Sequence, residues 1–85
     1  MNAIIVTVTD DRGSFYQDME VPTDVPAAQV REEIISSLNA YRPDLRLSSY
    51  RTALGNNRYN RFFRDDETLE EAGVWNGDYL ILFSV

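Results

Sequence analysis

Carboxylates stand side by side at several places in the chain, among them Asp10-Asp11, Asp65-Asp66-Glu67 and Glu70-Glu71. Adjacent carboxylates are the raw material of calcium sites and of acid–base catalysis. A calcium loop would alternate Asp or Asn ahead of a glycine and a closing glutamate, and that spacing is absent. Paired catalytic carboxylates need a cleft around them, and a chain of 85 residues leaves little room for an internal cavity. Acids at such loop positions are expected to be solvated or to cap backbone N–H groups. There is no histidine and no cysteine, which removes imidazole bases, thiolate chemistry, disulfides and nearly all zinc and copper sites. Leu54-Gly55-Asn56-Asn57 holds a single glycine, not the run that cradles a phosphate. The expectation is therefore no catalysis, no cofactor and no metal.

Arginine supplies the other chemistry. Residues 42–64 hold six of the eight arginines and only one acid, Asp44, an excess of five positive charges. The rest of the chain holds two arginines and thirteen acids, an excess of eleven negative charges. Every basic side chain is Arg, which fits either GC-rich codon usage or the bidentate recognition of carboxylates that Lys cannot provide. Arg58 and Arg61 alternate with Tyr59, Phe62 and Phe63, and Tyr50 and Arg51 stand just before them. Arginines interleaved with aromatics can stack bases and clamp phosphates. The net charge of −6 argues against nucleic acid as the main partner. An acidic protein surface, or a second copy meeting this segment with its own acidic side, suits the polarity better.

The elements that must position these groups follow from periodicity. Ala3 to Thr9 is rich in β-branched residues and reads as a strand, with Ile4, Val6 and Val8 on one face and Ile5, Thr7 and Thr9 on the other. Asp10 to Ser14 makes a turn into a second strand, Phe15 to Val21, where Gln17 interrupts the apolar face and predicts a late start or a bulge. Thr23 or Asp24 offers a cap to a helix whose first turn contains Pro26. Ala27, Val30, Ile34, Ile35 and Leu38 form its apolar stripe, with Arg31, Glu32, Ser36 and Asn39 on the wet side, and Pro43 ends it. A middle strand around Tyr50 and Thr52, a turn at Gly55-Asn56-Asn57 and a short strand over residues 58–63 follow. Thr68-Leu69-Glu70-Glu71 has capping-box spacing for one helical turn that stops at Gly73. Trp75 reads either as a cover over the core beside Val74 or as an exposed anchor, and the first is preferred. Asn76-Gly77-Asp78 is a turn, and Tyr79 to Phe83 is a strongly apolar last strand.

Residues 1–85 therefore form one domain. Its strand, strand, helix, strand, strand, strand order makes an α+β fold with one main helix on one face of a mixed sheet of four to five strands. The first and last strands should be central and parallel, because so apolar an open edge would aggregate. If Leu80 and Leu82 face the helix, then Tyr79, Ile81 and Phe83 face away. Ile5 is expected beside them, with Tyr50 or Thr52 contributing from the middle strand. A helix-free sheet face is ordinarily polar, so a contiguous apolar patch there predicts a protein-interaction surface of Ile5, Tyr50, Arg51, Arg58, Ile81 and Phe83. A register shifted by one residue would bury that patch instead.

The order of elements resembles ubiquitin along nearly the whole chain, most specifically from Glu67-Thr68-Leu69 through Gly77-Asp78-Tyr79-Leu80-Ile81-Leu82. This is the ubiquitin-like β-grasp. Leu69 to Val85 and Val21 to Val30 are more similar to the YukD/EsaB group of bacterial type VII secretion, and to the cytosolic ubiquitin-like domain of the EccD membrane subunit. The resemblance places the predicted patch where ubiquitin carries its own. It implies a non-conjugating module that docks on the secretion machinery, either the membrane subunit or its ATPase. The chain shows no terminal glycine pair after Phe83-Ser84-Val85 and no lysine, so a modifier or sulfur-carrier role is disfavoured. Ala3 to Val6 is too short and lacks the basic flank of a signal peptide, and no run approaches the ~20 apolar residues of a membrane span. A cytoplasmic location is expected, with no direct insertion and any membrane association made through partners.

Overall fold

The computed structural model describes residues 2–48, 52–57 and 61–84. Its elements are β1 (Ala3–Asp10), β2 (Tyr16–Pro22), α1 (Ala27–Tyr41), a 3-10 turn (Pro43–Leu45), β3 (Thr52–Asn56), β4 (Arg61–Phe62) and β5 (Tyr79–Ser84). The five strands form one sheet in the order β2-β1-β5-β3-β4. β1 and β5 run parallel at its centre, and the remaining pairs are antiparallel.

The β1–β2 hairpin turns on Asp10, whose Oδ1 accepts the N–H groups of Arg12 at 3.2 Å and Ser14 at 2.7 Å. Gly13 beyond it has φ +67, a conformation that a Cβ disfavours. The pairing continues unbroken from Thr9↔Tyr16 to Ala3↔Pro22. The strand therefore starts one residue late, at Tyr16, and carries no bulge at Gln17, since each residue keeps its partner.

The helix buries Ala27, Val30, Ile34, Ile35 and Leu38, the stripe its 3.6-residue period predicts. They pack on Val6, Val8, Val21, Leu54, Leu80 and Leu82 from the sheet, with Leu69 and Val74 closing one end. The expected cap at Thr23 or Asp24 is not used. Pro26 occupies the cap position with no side-chain hydrogen bond. The first free N–H groups, of Ala27 and Ala28, donate instead to the backbone carbonyls of Glu67 at 2.7 Å and Asp65 at 3.2 Å. A distant loop supplies acceptors that the local side chains would otherwise have to provide.

Two residues of the predicted wet face have specific partners. Arg31 Nη1 pairs with Asp65 at 3.0 Å. The Asn39 carboxamide donates to the Leu47 carbonyl and accepts the Leu47 N–H, both at 3.0 Å, and so ties the chain after the 3-10 turn to the end of α1.

The capping-box spacing holds in full. Thr68 N–H donates to Glu71 Oε1 at 2.9 Å, and Glu71 N–H donates to Thr68 Oγ1 at 3.0 Å. The single turn ends as Ala72 N–H reaches the Thr68 carbonyl and Val74 N–H reaches that of Leu69, with Gly73 at φ +76.

Gly55 and Asn56, expected in a turn, belong to β3, and only Asn57 turns. The strand tolerates a glycine there because its neighbours approach closely. A Cβ on Gly55 would lie 3.0 Å from the Arg61 carbonyl oxygen and 3.1 Å from the Phe83 ring. Leu45 ends the 3-10 turn.

Candidate functional site

Alternation along the paired strands decides which side chains reach the face that α1 leaves open. In β5, Leu80 and Leu82 are buried against the helix, while Tyr79, Ile81 and Phe83 lie on the opposite side. This is the register expected from the sequence.

The pairings Tyr16↔Thr9, Thr9↔Ile81, Ile81↔Gly55 and Gly55↔Phe62 run straight across all five strands and place these residues in one row on the open face. Phe83 follows Ile81 along the same side of β5 and pairs with Ala53. The Phe62 and Phe83 rings meet edge to face, with centroids 5.0 Å apart and planes at 88°, the arrangement their quadrupoles favour. Gly55 leaves room beneath them. On the other side of the row, Tyr16 and Tyr79 meet edge to face across β1 at 6.3 Å, and Thr9 is buried in the row between Tyr16 and Ile81. Phe62 and Tyr79 remain 55% and 48% exposed.

A hollow of about 390 Å3 opens beside the phenylalanine pair. Ile81, Phe62 and Phe83 line it together with Asp10, Asp11 and Arg61. It is a depression with Ile81, Phe62 and Phe83 on one side and charged and amide side chains, Asn56 and Asn57 among them, around the rest.

Gly55→Val is expected to force the two rings apart, lowering stability by about 1–3 kcal/mol, the usual range for overpacking. Thermal melting and the loss of the Phe62–Phe83 ring contact in proton NMR check it.

Glu67 holds the short strand β4 in place. Its carboxylate is 6% exposed. It accepts Arg61 Nη1 at 2.9 Å and Nη2 at 3.1 Å, and the Arg64 N–H at 2.6 Å. A bidentate fork of this kind is among the stronger ion pairs. The Arg61 hydrogen bonds, helped by the Arg64 N–H, outweigh burial and hold the Glu67 carboxyl below its ordinary value. Since the Glu67 carbonyl also receives the first N–H of α1, one residue joins the helix start to the strand that carries Phe62.

The sequence-predicted site residues are placed as follows. Ile81 and Phe83 lie together on the open face, half-buried. Ile5 is 45% exposed on the same face but does not join them. Thr7 pairs with Tyr79 and Thr9 with Ile81, so Ile5 stands four residues, or about 13 Å, short of the Ile81 level. The reason is the 75–78 turn: Asn76 Oδ1 accepts the Ile5 N–H at 2.8 Å and Gly77 N–H donates to the Ile5 carbonyl at 2.7 Å. That turn fixes where β5 begins. Thr52, an alternative member of the patch, has the parity of the buried Leu54, is itself buried, and donates to the Ser48 carbonyl at 2.6 Å. Tyr50, Arg51 and Arg58 lie outside the described residues.

Trp75 does not cover the core. Val74 is buried, whereas Trp75 is 65% exposed, because the one-turn motif ending at Gly73 directs consecutive side chains to opposite sides.

Phe62, Tyr16 and Glu67 were not singled out as site residues by sequence reasoning. Phe62-Phe63 carried a signal, since adjacent strand residues face opposite ways and both cannot be core. Glu67 carried none, since it reads as the last of three successive acids. Among the described residues, no group of three or more acidic side chains is arranged to hold a metal ion.

The family model described as "WXG100 protein secretion system (Wss), protein YukD" matches residues 3–82. No curated protein matches significantly. Among solved structures, the chain is similar to Caldiarchaeum subterraneum ubiquitin, with a TM-score of 0.77 and 22% identity over 99% of this chain and 95% of that one. It is similar to the ubiquitin-like domain of the Mycobacterium tuberculosis type VII secretion system protein ECCD1, with a TM-score of 0.76 and 22% identity over 99% and 100% of the two chains. A chain of the MycP5-free ESX-5 inner membrane complex, state II, matches with a TM-score of 0.79 and 19% identity, covering all of this chain and 21% of that one. These similarities establish the ubiquitin-like β-grasp as the fold.

Proposed function

The chain belongs to the YukD family of WXG100 secretion-system proteins, and on that premise we propose that it is a docking module whose helix-free sheet face grips a polypeptide of the type VII secretion machinery. Ubiquitin-like architecture within a secretion family makes it a secretion-associated ubiquitin-like module. The finer reading assigns the contact to Ile81, Phe83 and Phe62, with the partner being the membrane subunit or the ATPase.

The observation that carries this reading is the edge-to-face pair of Phe62 and Phe83 beside Ile81, on a sheet side with no helix over it. Exposed aromatic and aliphatic clusters with a charged rim are the usual anchors of protein interfaces. Two similar structures support the choice of partner: one domain is part of a type VII secretion protein, and another chain sits in an inner membrane complex. Among the described residues, no helix is long and apolar enough to cross a membrane. The proposal accordingly places the module at the cytoplasmic side of the machinery, held there by protein contacts.

The experiment is a titration of the purified protein against the cytosolic part of the membrane subunit and against the ATPase. Binding to at least one is expected, and Ile81→Asp with Phe83→Asp should remove it. Undiminished binding by the double variant would overturn the assignment of this face.

A further inference from the structure

A second and larger hollow, of about 580 Å3, lies on the other side of the molecule between β2 and α1. Its floor is apolar: Val21 and Ile34 are buried and Met19 is half-buried. Its rim is acidic on the helix side, with Glu32 and Glu33, and no arginine lines it. Glu33 accepts from Gln29 Nε2 at 3.4 Å, a neutral donor that leaves the carboxylate charge uncompensated.

The strand beside this hollow is an edge. β2 stands first in the sheet order and pairs only with β1. The register shows which backbone groups face outward. Ile5 and Thr7 turn their N–H groups toward Asn76 and Asp78, on the β5 side of β1. Thr23 N–H donates to the Asn2 carbonyl. Alternation of antiparallel bonds then places Gln17, Met19 and Val21 in hydrogen-bonded pairs with β1 and turns the backbone groups of Tyr16, Asp18 and Glu20 to the open edge. Among the described residues, the Asp18 carbonyl meets the Gln17 side-chain amide there, at 3.3 Å.

We propose that this edge accepts a basic extended segment of a partner protein as an added strand. Main-chain hydrogen bonds to Tyr16, Asp18 and Glu20 would hold it, while lysine or arginine stems cover Met19 and their charges meet Glu32 and Glu33. Acids on an edge strand ordinarily prevent strands of the same protein from pairing. A second copy would set Asp18 and Glu20 against their own kind, so the same charges that exclude self-pairing select a cationic guest. This surface is separate from the helix-free face, and the proposal stands or falls independently of the docking described above.

Hydrogen exchange by NMR tests it, with a synthetic peptide of about eight residues alternating lysine and valine, matched to the seven-residue strand. A peptide with glutamate replacing lysine is the control. The lysine peptide should slow exchange of the Tyr16, Asp18 and Glu20 amides about tenfold or more, leave Gln17, Met19 and Val21 unchanged, and bind more tightly than the glutamate peptide. Glu33→Lys should weaken binding about threefold to tenfold, whereas Glu70→Lys, an equal change in net charge outside the groove, should not. Protection elsewhere or nowhere, equal binding of the two peptides, or equal weakening by the two variants would overturn the proposal.

Discussion

Ile81→Asp together with Phe83→Asp is expected to abolish capture of secretion-machinery components while the domain remains folded. Central anchors of an interface each contribute about 2 kcal/mol or more, so losing one corresponds to about a 30-fold drop in affinity and losing two to roughly several hundredfold. The folding cost is smaller, because both side chains are only half-buried and lie on the side away from the core. The double change forfeits the Phe62–Phe83 ring contact, about 1 kcal/mol, and sets new carboxylates at positions 81 and 83 in the hollow that Asp10 and Asp11 share. Circular dichroism should retain the native spectrum, with a melting point lowered by roughly 10 °C or less. Phe62→Ser gives a parallel check at lower folding cost, since Phe62 is already largely exposed and yet belongs to the same anchor. Undiminished capture by both variants would remove the helix-free face from the account.

Glu67→Gln should be the most damaging single polar change, for a reason that does not involve the partner. It removes the charge that the Arg61 fork and the Arg64 N–H were built around. Weakening a buried set of charge-assisted hydrogen bonds costs about 2 kcal/mol, which corresponds to roughly 10 °C in a domain of this size.

The acid dependence carries the same information. The carboxyl is held below the ordinary glutamate value of 4.5, first by the Arg61 hydrogen bonds. The unfolded chain therefore binds the proton more readily than the folded one. The stabilisation is complete above the unfolded value and is lost as pH falls from about 5 through the depressed folded value. Asp10 and Asp44 are shifted in the same direction by their own hydrogen bonds. The measurement is consequently a difference: melting points of native protein and Glu67→Gln should converge as pH falls below about 5. Curves that stay parallel would contradict the role given to Glu67.

The fold was legible wherever the period of the pattern equals the period of the element. The helical stripe from Ala27 to Leu38, the β-branched run of β1 and the in–out alternation of Leu80, Ile81, Leu82 and Phe83 all follow from local sequence. So did the reciprocal cap of Thr68 and Glu71, because both partners lie within one turn.

Groups placed by distant partners were not legible. The start of α1 is capped by carbonyls of Asp65 and Glu67, some forty residues away in sequence, and local capping rules pointed instead to Thr23 or Asp24. The separation of Ile5 from Ile81 depends on where the 75–78 turn grips β1, since parallel strands have no hairpin to fix their register. Gly55 reads locally as a turn residue, yet it sits in a strand because two rings and a backbone carbonyl approach it. Glu67 belonged to a run of three acids, and only its buried position distinguishes it from Asp65 and Asp66.

The most direct measurement is cross-saturation NMR on the isotope-labelled protein bound to its secretion-machinery partner. Saturation transferred to the Ile81 methyls and to the Phe62 and Phe83 rings, with Ile34 and Leu38 beneath the helix unaffected, is the predicted result. Saturation concentrated on α1, with the sheet side silent, would contradict it.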